Sequence, residues 1–204
     1  MTEPQLAAIR HLLAHTPRAA GVPDGDAHPR AAVALVLRPA AGGPQVLLIR
    51  RAERAGDPWS GHVAFPGGRA DPRDADTIAT AVRETREEVG IDLAAVGEWL
   101  GALPELHPRS GAPPISVSPH VFAVPAETEC TPSAAEVQRA FWVPIMTLAS
   151  PDAAADYEHV TPGGARIRFP AYAVEGHVVW GLTYRMLADF LELHARLHAG
   201  GETP

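Results

Sequence analysis

Lysine is missing from this 204-residue chain; all 17 of its basic residues are arginine. That excludes a Schiff-base lysine and a P-loop lysine, so chemistry that depends on either is set aside. Cysteine is nearly missing as well. Cys130 stands alone, which rules out an intramolecular disulfide and a cysteine-rich zinc site. Apolar residues nowhere run uninterrupted for the roughly 18 positions that a membrane-spanning helix needs. Residues 1–20 carry Glu3, His11 and His15 among their apolar residues and do not read as a signal peptide, so a cytoplasmic location is expected. There is no basic tract, and the formal charge is −7. A general nucleic-acid or anionic-membrane binder shows the opposite bias, so neither partner is expected. The sequence does not fix the oligomeric state, and a homodimer is left open.

What is present is ordinary for a globular domain: 46% hydrophobic and 20% charged residues. The length suits one domain with decorations, divided here into an extension over residues 1–29, helix plus linker, and a main domain over residues 30–200. Leu6, Ile9, Leu12 and Leu13 give residues 4–15 a helical period. Residues 16–29, with three prolines and two glycines, read as a linker. Residues 31–37 and 45–50 read as a hairpin, and residues 62–65 as a short strand that ends at Pro66-Gly67-Gly68. A loop at 69–75 follows. Helical spacing then appears at Ile78, Val82, Thr85 and Val89, with Asp74 or Asp76 as the cap and Gly90 as the stop. Residues 99–103, 115–124 and 166–172 are further strand candidates. A short helix is expected at 132–139 before a strand at 141–145, and a last helix at 182–197. This order of strands and helices predicts a mixed α/β sandwich.

The chemistry is concentrated between Gly67 and Ile91. Glu84, Glu87 and Glu88 are spaced i, i+3 and i+4. At about 100° per residue the last two lie within about 60° of the first around the helix axis. Their carboxylates are therefore expected to converge on one patch. Like charges at that spacing destabilise a helix by roughly 0.2–0.5 kcal/mol per pair and call for a compensating cation. Hard oxygen ligands suit Mg²⁺ or Mn²⁺ better than zinc. The competing reading is a solvated acidic face flanked by Arg83 and Arg86. The Gly67-Gly68 pair just upstream shifts the balance, because a backbone carbonyl can approach a metal there with no side chain in the way.

The run Arg83-Glu84-Thr85-Arg86-Glu87-Glu88-Val89-Gly90-Ile91 resembles the second half of the Nudix box, R-E-U-x-E-E-x-G-U with U a bulky apolar residue, and Gly68 matches the glycine that opens the box. The chain departs from the pattern in three places. The gap from Gly68 to Arg83 is one residue longer than in the usual box, the first-half acid is Asp74 or Asp76 instead of glutamate, and the first U is Thr85. The resemblance implies an α/β/α sandwich with a mixed sheet, and a hydrolase that cuts the pyrophosphate of a nucleoside diphosphate derivative. It also implies Glu84, Glu87, Glu88 and the Gly68 carbonyl as ligands of Mg²⁺ or Mn²⁺. Arg83 would orient a box glutamate. Glu84 is the first choice of general base, with Glu105, Glu127, Glu129 and Glu136 as candidates from later loops.

Upstream, Leu47-Leu48-Ile49-Arg50-Arg51-Ala52, Gly61-His62-Val63-Ala64 and Phe65-Pro66-Gly67-Gly68 are similar to the pre-box signature of the coenzyme A pyrophosphatase branch. Asp57 stands where that signature has an arginine, and Ala52-Glu53 replaces its Ser-Ala pair. Trp180-Gly181-Leu182-Thr183 also resembles that branch. The implied reaction turns coenzyme A into 4′-phosphopantetheine and adenosine 3′,5′-bisphosphate. Arg50, Arg51 and Arg54 would meet the extra phosphate charge, Phe65 would line the substrate site, and Trp59 would stack on a base or line a pocket.

Four other readings compete. ADP-ribose, a dinucleotide or another nucleoside diphosphate derivative would use the same machinery. A binding regulator without turnover usually loses the box carboxylates, which are all present. Isomerase chemistry would need Cys130 near the substrate. A purely structural domain has no reason to cluster three glutamates after a Gly-Gly turn.

Overall fold

The computed structural model describes residues 2–15, 29–54, 60–108, 115–161 and 163–199. Helix α1 (Glu3–His15) is followed by strands β1 (Arg30–Arg38), β2 (Gln45–Arg51), β3 (Val63–Ala64) and β4 (Gly67–Arg69), helices α2 (Thr77–Val89) and α3 (Leu93–Val96), and strands β5 (Glu98–Ala102), β6 (Ser116–Ala123) and β7 (Val137–Pro144). Helix α4 (Ile145–Ala149), strands β8 (Ala154–Val160), β9 (Arg166–Val174) and β10 (His177–Trp180), and helix α5 (Gly181–Ala199) complete the chain. The expected linker at 16–29, and with it Asp57 and Trp59, lies outside the described residues except for Pro29.

The larger sheet has seven strands in the order β3-β2-β1-β6-β5, with β4 added to β1 and β7 added to β2. It is mixed. β1 and β6 run parallel over eight residue pairs, from Arg30 beside Ser116 to Leu37 beside Ala123, and the other pairings are antiparallel. Side chains alternate across a strand, so each strand feeds two cores. Ala32, Ala34, Val36, Leu47 and Ile49 point to one face and pack with Ala81 and Val89 of α2. Leu35, Leu37, Val46 and Leu48 point to the other, where Ile9 and Leu13 of α1 and Leu187 and Phe190 of α5 close the core. The result is helix, sheet, helix: an α/β/α sandwich with a mixed sheet. A second, antiparallel sheet of β8, β9 and β10 stands beside it.

Three expectations are corrected. Gly67 and Gly68 do not end a strand: they form β4, whose backbone pairs with Ala31, Ala32 and Val33. Residues 132–139 make a single turn closed by Glu136 N–H and Val137 N–H on the Ser133 carbonyl, and β7 then begins at Val137. The alternation Val137, Phe141, Val143, all buried, fits a strand and overrides the turn's helical hint. Strands β8 and β10 were missed.

Candidate active site

Helix α2 is the platform, and its own sequence sets its ends. Asp76 is extended (φ −160°, ψ −176°), and its carboxylate accepts from Ala79 N–H at 2.7 Å, an N-cap. Gly90 adopts the left-handed conformation (φ 72°) that closes the helix on the Arg86 carbonyl. Ala81, Thr85, Glu88 and Val89 form the buried stripe toward the sheet, at spacings of i, i+4, i+7 and i+8. Thr85 is tolerated in an apolar position because its hydroxyl donates to the Ala81 carbonyl at 2.7 Å.

Strand β4 meets this helix at very close range. Gly67 has φ 154°, and a Cβ there would fall 2.3 Å from the Ala32 carbonyl oxygen. A Cβ on Gly68 would fall 2.5–2.6 Å from the Glu84 carboxyl atoms. Gly67 therefore has no room for a side chain, and at Gly68 a side chain would have to displace the Glu84 carboxylate. The Gly67 N–H also donates to Glu88 Oε2 at 2.9 Å.

Asp74 and Asp76 make different contacts. Asp76 caps the helix, and Asp74 is the partner of Arg83. Asp74 accepts from Arg83 Nε (3.0 Å) and Nη2 (2.9 Å), from the Thr80 hydroxyl (2.9 Å) and from Asp71 N–H (2.9 Å). These bonds, led by Arg83, hold its carboxyl well below the usual carboxylate range. Asp74, in turn, makes Arg83 bind its proton more firmly than an ordinary arginine. The rest of that guanidinium reaches Glu84 Oε1 (2.8 Å), Glu87 Oε2 (3.0 Å) and the Arg69 carbonyl (3.1 Å). One planar fork thus ties β4, the 71–74 turn and α2 together.

The three glutamates share the patch, but they do not converge on one point. Glu88 turns inward and is 3% exposed, Glu84 is mostly buried against Gly68, and Glu87 is exposed on the Arg83 side. Among the described residues, no three His, Cys, Asp or Glu side chains are grouped to hold an ion as they stand. Arg83 is the reason: it draws Glu84 and Glu87 to itself, while Gly67 draws Glu88. The electrostatics nonetheless ask for more positive charge. Burial pushes Glu88 up to about 7, against the opposing pull of Gly67 N–H and Arg51. Burial also raises Glu84, against Arg83. Two desolvated carboxylates, a third beside them and a glycine strand with no side chain in the way form a hard-oxygen donor set that fits a divalent cation.

The remaining expected site residues separate. Arg51 lies 3.9 Å from Glu88 Oε1. Arg54 donates to the Ala135 carbonyl at 2.6 Å and stands 3.8 Å from Glu136. Arg50 lies on the opposite sheet face, away from α2. Phe65 is a correction: at 2% exposure it is a core residue of the α1–α5 side and offers substrate no surface. Of the later-loop glutamates, Glu136 lies near enough to Glu84 and Glu88 to repel both. Glu127 and Glu129 are on an exposed loop, and Glu105 keeps one buried oxygen without a hydrogen-bond partner among the described residues. The sequence did not single out Arg54 and Glu136 as a pair. Their signal is a strand pairing, Arg51 beside Val137 with Ala52 N–H on the Glu136 carbonyl.

Comparison with known proteins fits this geometry. The NUDIX domain family matches residues 27–163. The chain belongs to the Nudix family. A relative described as the uncharacterized Nudix hydrolase NudL of Photorhabdus laumondii is 35% identical over 160 residues, covering 78% of this chain and 81% of the relative. The human mitochondrial coenzyme A diphosphatase NUDT8 is 34% identical over 166 residues, covering 81% of this chain and 69% of the human protein. A crystal structure of a MutT/nudix family protein from Enterococcus faecalis shares the fold, with a TM-score of 0.54 at 15% identity, over 98% of this chain and 70% of that one. This Nudix hydrolase is a pyrophosphatase, and its family generally works with divalent metal ions. None of its described helices is long and apolar enough to cross a membrane.

Proposed function

We propose that this Nudix hydrolase cleaves coenzyme A, or its acyl derivatives, to 4′-phosphopantetheine and adenosine 3′,5′-bisphosphate with Mg²⁺ or Mn²⁺. The observation that carries the substrate is the likeness to the human coenzyme A diphosphatase over 81% of the chain, a span long enough to contain both the box and the arginines before it. Arg51 beside Glu88 and Arg54 beside Glu136 put guanidinium groups next to the carboxylate patch, where phosphate oxygens would be met bidentately.

Glu84, Glu87, Glu88 and the Gly68 carbonyl would hold the metal. When bound, it neutralises the diphosphate oxygens and acidifies the attacking water. The chain's own residues do the rest. Arg83, clamped by Asp74, fixes the side chain of Glu84 and keeps Glu87 close to it. Glu84 is the carboxylate that accepts the proton of the attacking water, held in place by Arg83 at 2.8 Å. Arg51 and Arg54 hold the phosphates in line. Cys130 takes no part. It is half-buried beside Arg38 and Trp142, and burial pushes its thiol up, away from thiolate chemistry.

The test is a hydrolysis panel of coenzyme A, ADP-ribose and dinucleotides with Mg²⁺ or Mn²⁺, with products identified by mass. Release of adenosine 3′,5′-bisphosphate from coenzyme A at the highest kcat/KM is expected. A higher kcat/KM on ADP-ribose or a dinucleotide would replace this substrate.

A further inference from the structure

Arg50 and Arg51 are consecutive residues at the end of β2, yet they serve opposite faces of the sheet. Val46 and Leu48 point to the α1–α5 side and Leu47 and Ile49 to the α2 side, so the alternation sends Arg50 to the former; the pairing with β7 shifts register after Arg50, and the Glu88 contact places Arg51 on the α2 side. Arg51 meets Glu88. Arg50 instead lines a cleft of about 330 Å³ where the β3 edge meets the β10 end of the small sheet, together with Gly61, His62, Tyr157, His177 and Trp180.

Aromatic rings form the wall of this cleft. Tyr157 stacks on Trp180 with centroids 4.0 Å apart and planes at 20°. His62 meets the same indole edge-on at 5.1 Å and 68°. Among the described residues Arg50 makes one long bond, 3.4 Å, to the exposed Glu53, and about a third of its side chain is open to solvent. Its guanidinium is therefore free to exchange that weak partner for a stronger anion. His177 adds a polar group: its ring packs on Phe141 at 5.4 Å, and its Nε2 is buried with no hydrogen-bond partner among the described residues. Burial, Arg50 and Arg139 hold that imidazole below its ordinary range, so it is neutral near pH 7. A flat aromatic wall, a weakly engaged guanidinium and an unpaired ring nitrogen together match a planar heterocycle that carries a phosphate.

We propose that this cleft binds the adenine and 3′-phosphate end of the substrate, with the base against Trp180 and His62 and the 3′-phosphate on Arg50. The proposal rests on the coenzyme A reading above, because it needs a substrate with a phosphate outside the scissile diphosphate. The substrate then passes over the strand ends at Arg50 and Arg51, with its diphosphate on the α2 side. Selectivity for the 3′-phosphate is the work of Arg50, and the aromatic wall holds the base whether or not that phosphate is present.

The experiment is calorimetric titration of the full chain, in Mg²⁺, with adenosine 3′,5′-bisphosphate and with adenosine 5′-monophosphate, alongside coenzyme A hydrolysis. The wild type is expected to bind the bisphosphate at least about tenfold more tightly. Arg50→Gln should erase that preference while still binding the monophosphate. Trp180→Leu should weaken both ligands by about tenfold. Thermal melts show whether each variant is folded, and if Trp180→Leu is not, Arg50→Gln decides alone. An unchanged preference in Arg50→Gln, or a wild type that binds neither nucleotide, overturns the cleft. If coenzyme A is cleaved while Arg50→Gln keeps its preference, the cleft falls and the substrate reading stands. If the preference depends on Arg50 but coenzyme A is not cleaved, the cleft stands and the substrate reading falls.

Discussion

The two faces of the large sheet are held by different forces. On the α1–α5 side, Leu35, Leu187 and Phe190 are fully buried, and the core is apolar packing. On the α2 side, buried aliphatic residues give way, around Gly67 and Gly68, to Glu84, Glu88, Asp74 and Arg83, which are held by charged hydrogen bonds. The first face is stable because it excludes water. The second holds its desolvated charge through those bonds, and on the proposed function a cation and phosphates would complete the compensation. The contrast makes a general claim: substitutions on the α2 side should cost activity out of proportion to stability.

The largest test of that claim is removal of a box carboxylate. Glu84→Gln should lower kcat by about a thousandfold and Glu87→Gln by at least about a hundredfold, by loss of pre-arranged charge stabilisation, with the melting temperature little changed. Steady-state kinetics beside thermal melts check both. Undiminished turnover in either variant would remove that residue from the site.

Next comes pH. Glu88 is pushed up to about 7 by burial, from an ordinary glutamate value of 4.5. The folded chain therefore holds this proton more tightly than the unfolded chain. Its contribution to stability is fully present below about 4.5 and is lost as pH rises through about 7. A shift of that size is worth on the order of 3 kcal/mol. Denaturant melts in chelator should show stability falling across that window. Mg²⁺ or Mn²⁺ should restore it, since a cation favours the ionised carboxylate. The same melts on Glu88→Gln should be clearly shallower there, the remainder belonging to Glu84, which burial also raises; a slope undiminished by the substitution would place its source elsewhere. Asp74 works in the opposite direction. Its lowered value means that its contribution is present above the usual carboxylate range and is lost only at strongly acidic pH.

A third test separates the clamp from what it clamps. Asp74→Asn removes the charge that grips Arg83 and should cost about 2 kcal/mol of stability. It should also lower kcat by about tenfold, because Glu84 loses its fixed partner. Asp74→Glu restores the charge on the side chain that the family pattern has at this position. It should recover much of the stability, and less of the activity, because the loop here carries one residue more than that pattern. Equal loss in both variants would mean that length, and not charge, sets the contact.

How much of this was legible follows from locality. The helix, its caps and the acidic patch fall within about two turns of chain on either side of Arg83, so the 3.6-residue period and a few side-chain types gave them away. Strand β4 was hidden because two glycines look like a turn. Only their pairing with Ala31, Ala32 and Val33 makes them a strand. Strand β8 was hidden because its run Ala154–Val160 is exposed at every other position and carries Asp156, Glu158 and His159. It lacks the apolar density that marks a core strand. Arg50 and Arg51 looked equivalent in sequence, and only the placement of β2 between two cores shows that they serve different faces. The convergence of the three glutamates was overstated for a related reason. Helix geometry fixes where their Cβ atoms lie, while Arg83 and Gly67 decide where the carboxylates turn.

The smallest effect is expected where the chain departs from the box pattern most plainly. Thr85 is fully buried at a position that the pattern gives to a bulky apolar residue. A buried hydroxyl is costly only if it is unpaired, and this one donates to the Ala81 carbonyl. That carbonyl is also the helix acceptor for the Thr85 N–H, so deleting the hydroxyl leaves no orphan behind. Thr85→Val keeps the branched shape and should change stability by less than about 1 kcal/mol, with kcat within about twofold of wild type. Urea melts and steady-state kinetics measure both. If turnover instead falls by tenfold or more at unchanged stability, the hydroxyl is setting the pitch of α2 against β4. The division between a packed face and a charged one would then have to be redrawn, with the buried stripe of α2 counted among the groups that tune the carboxylates.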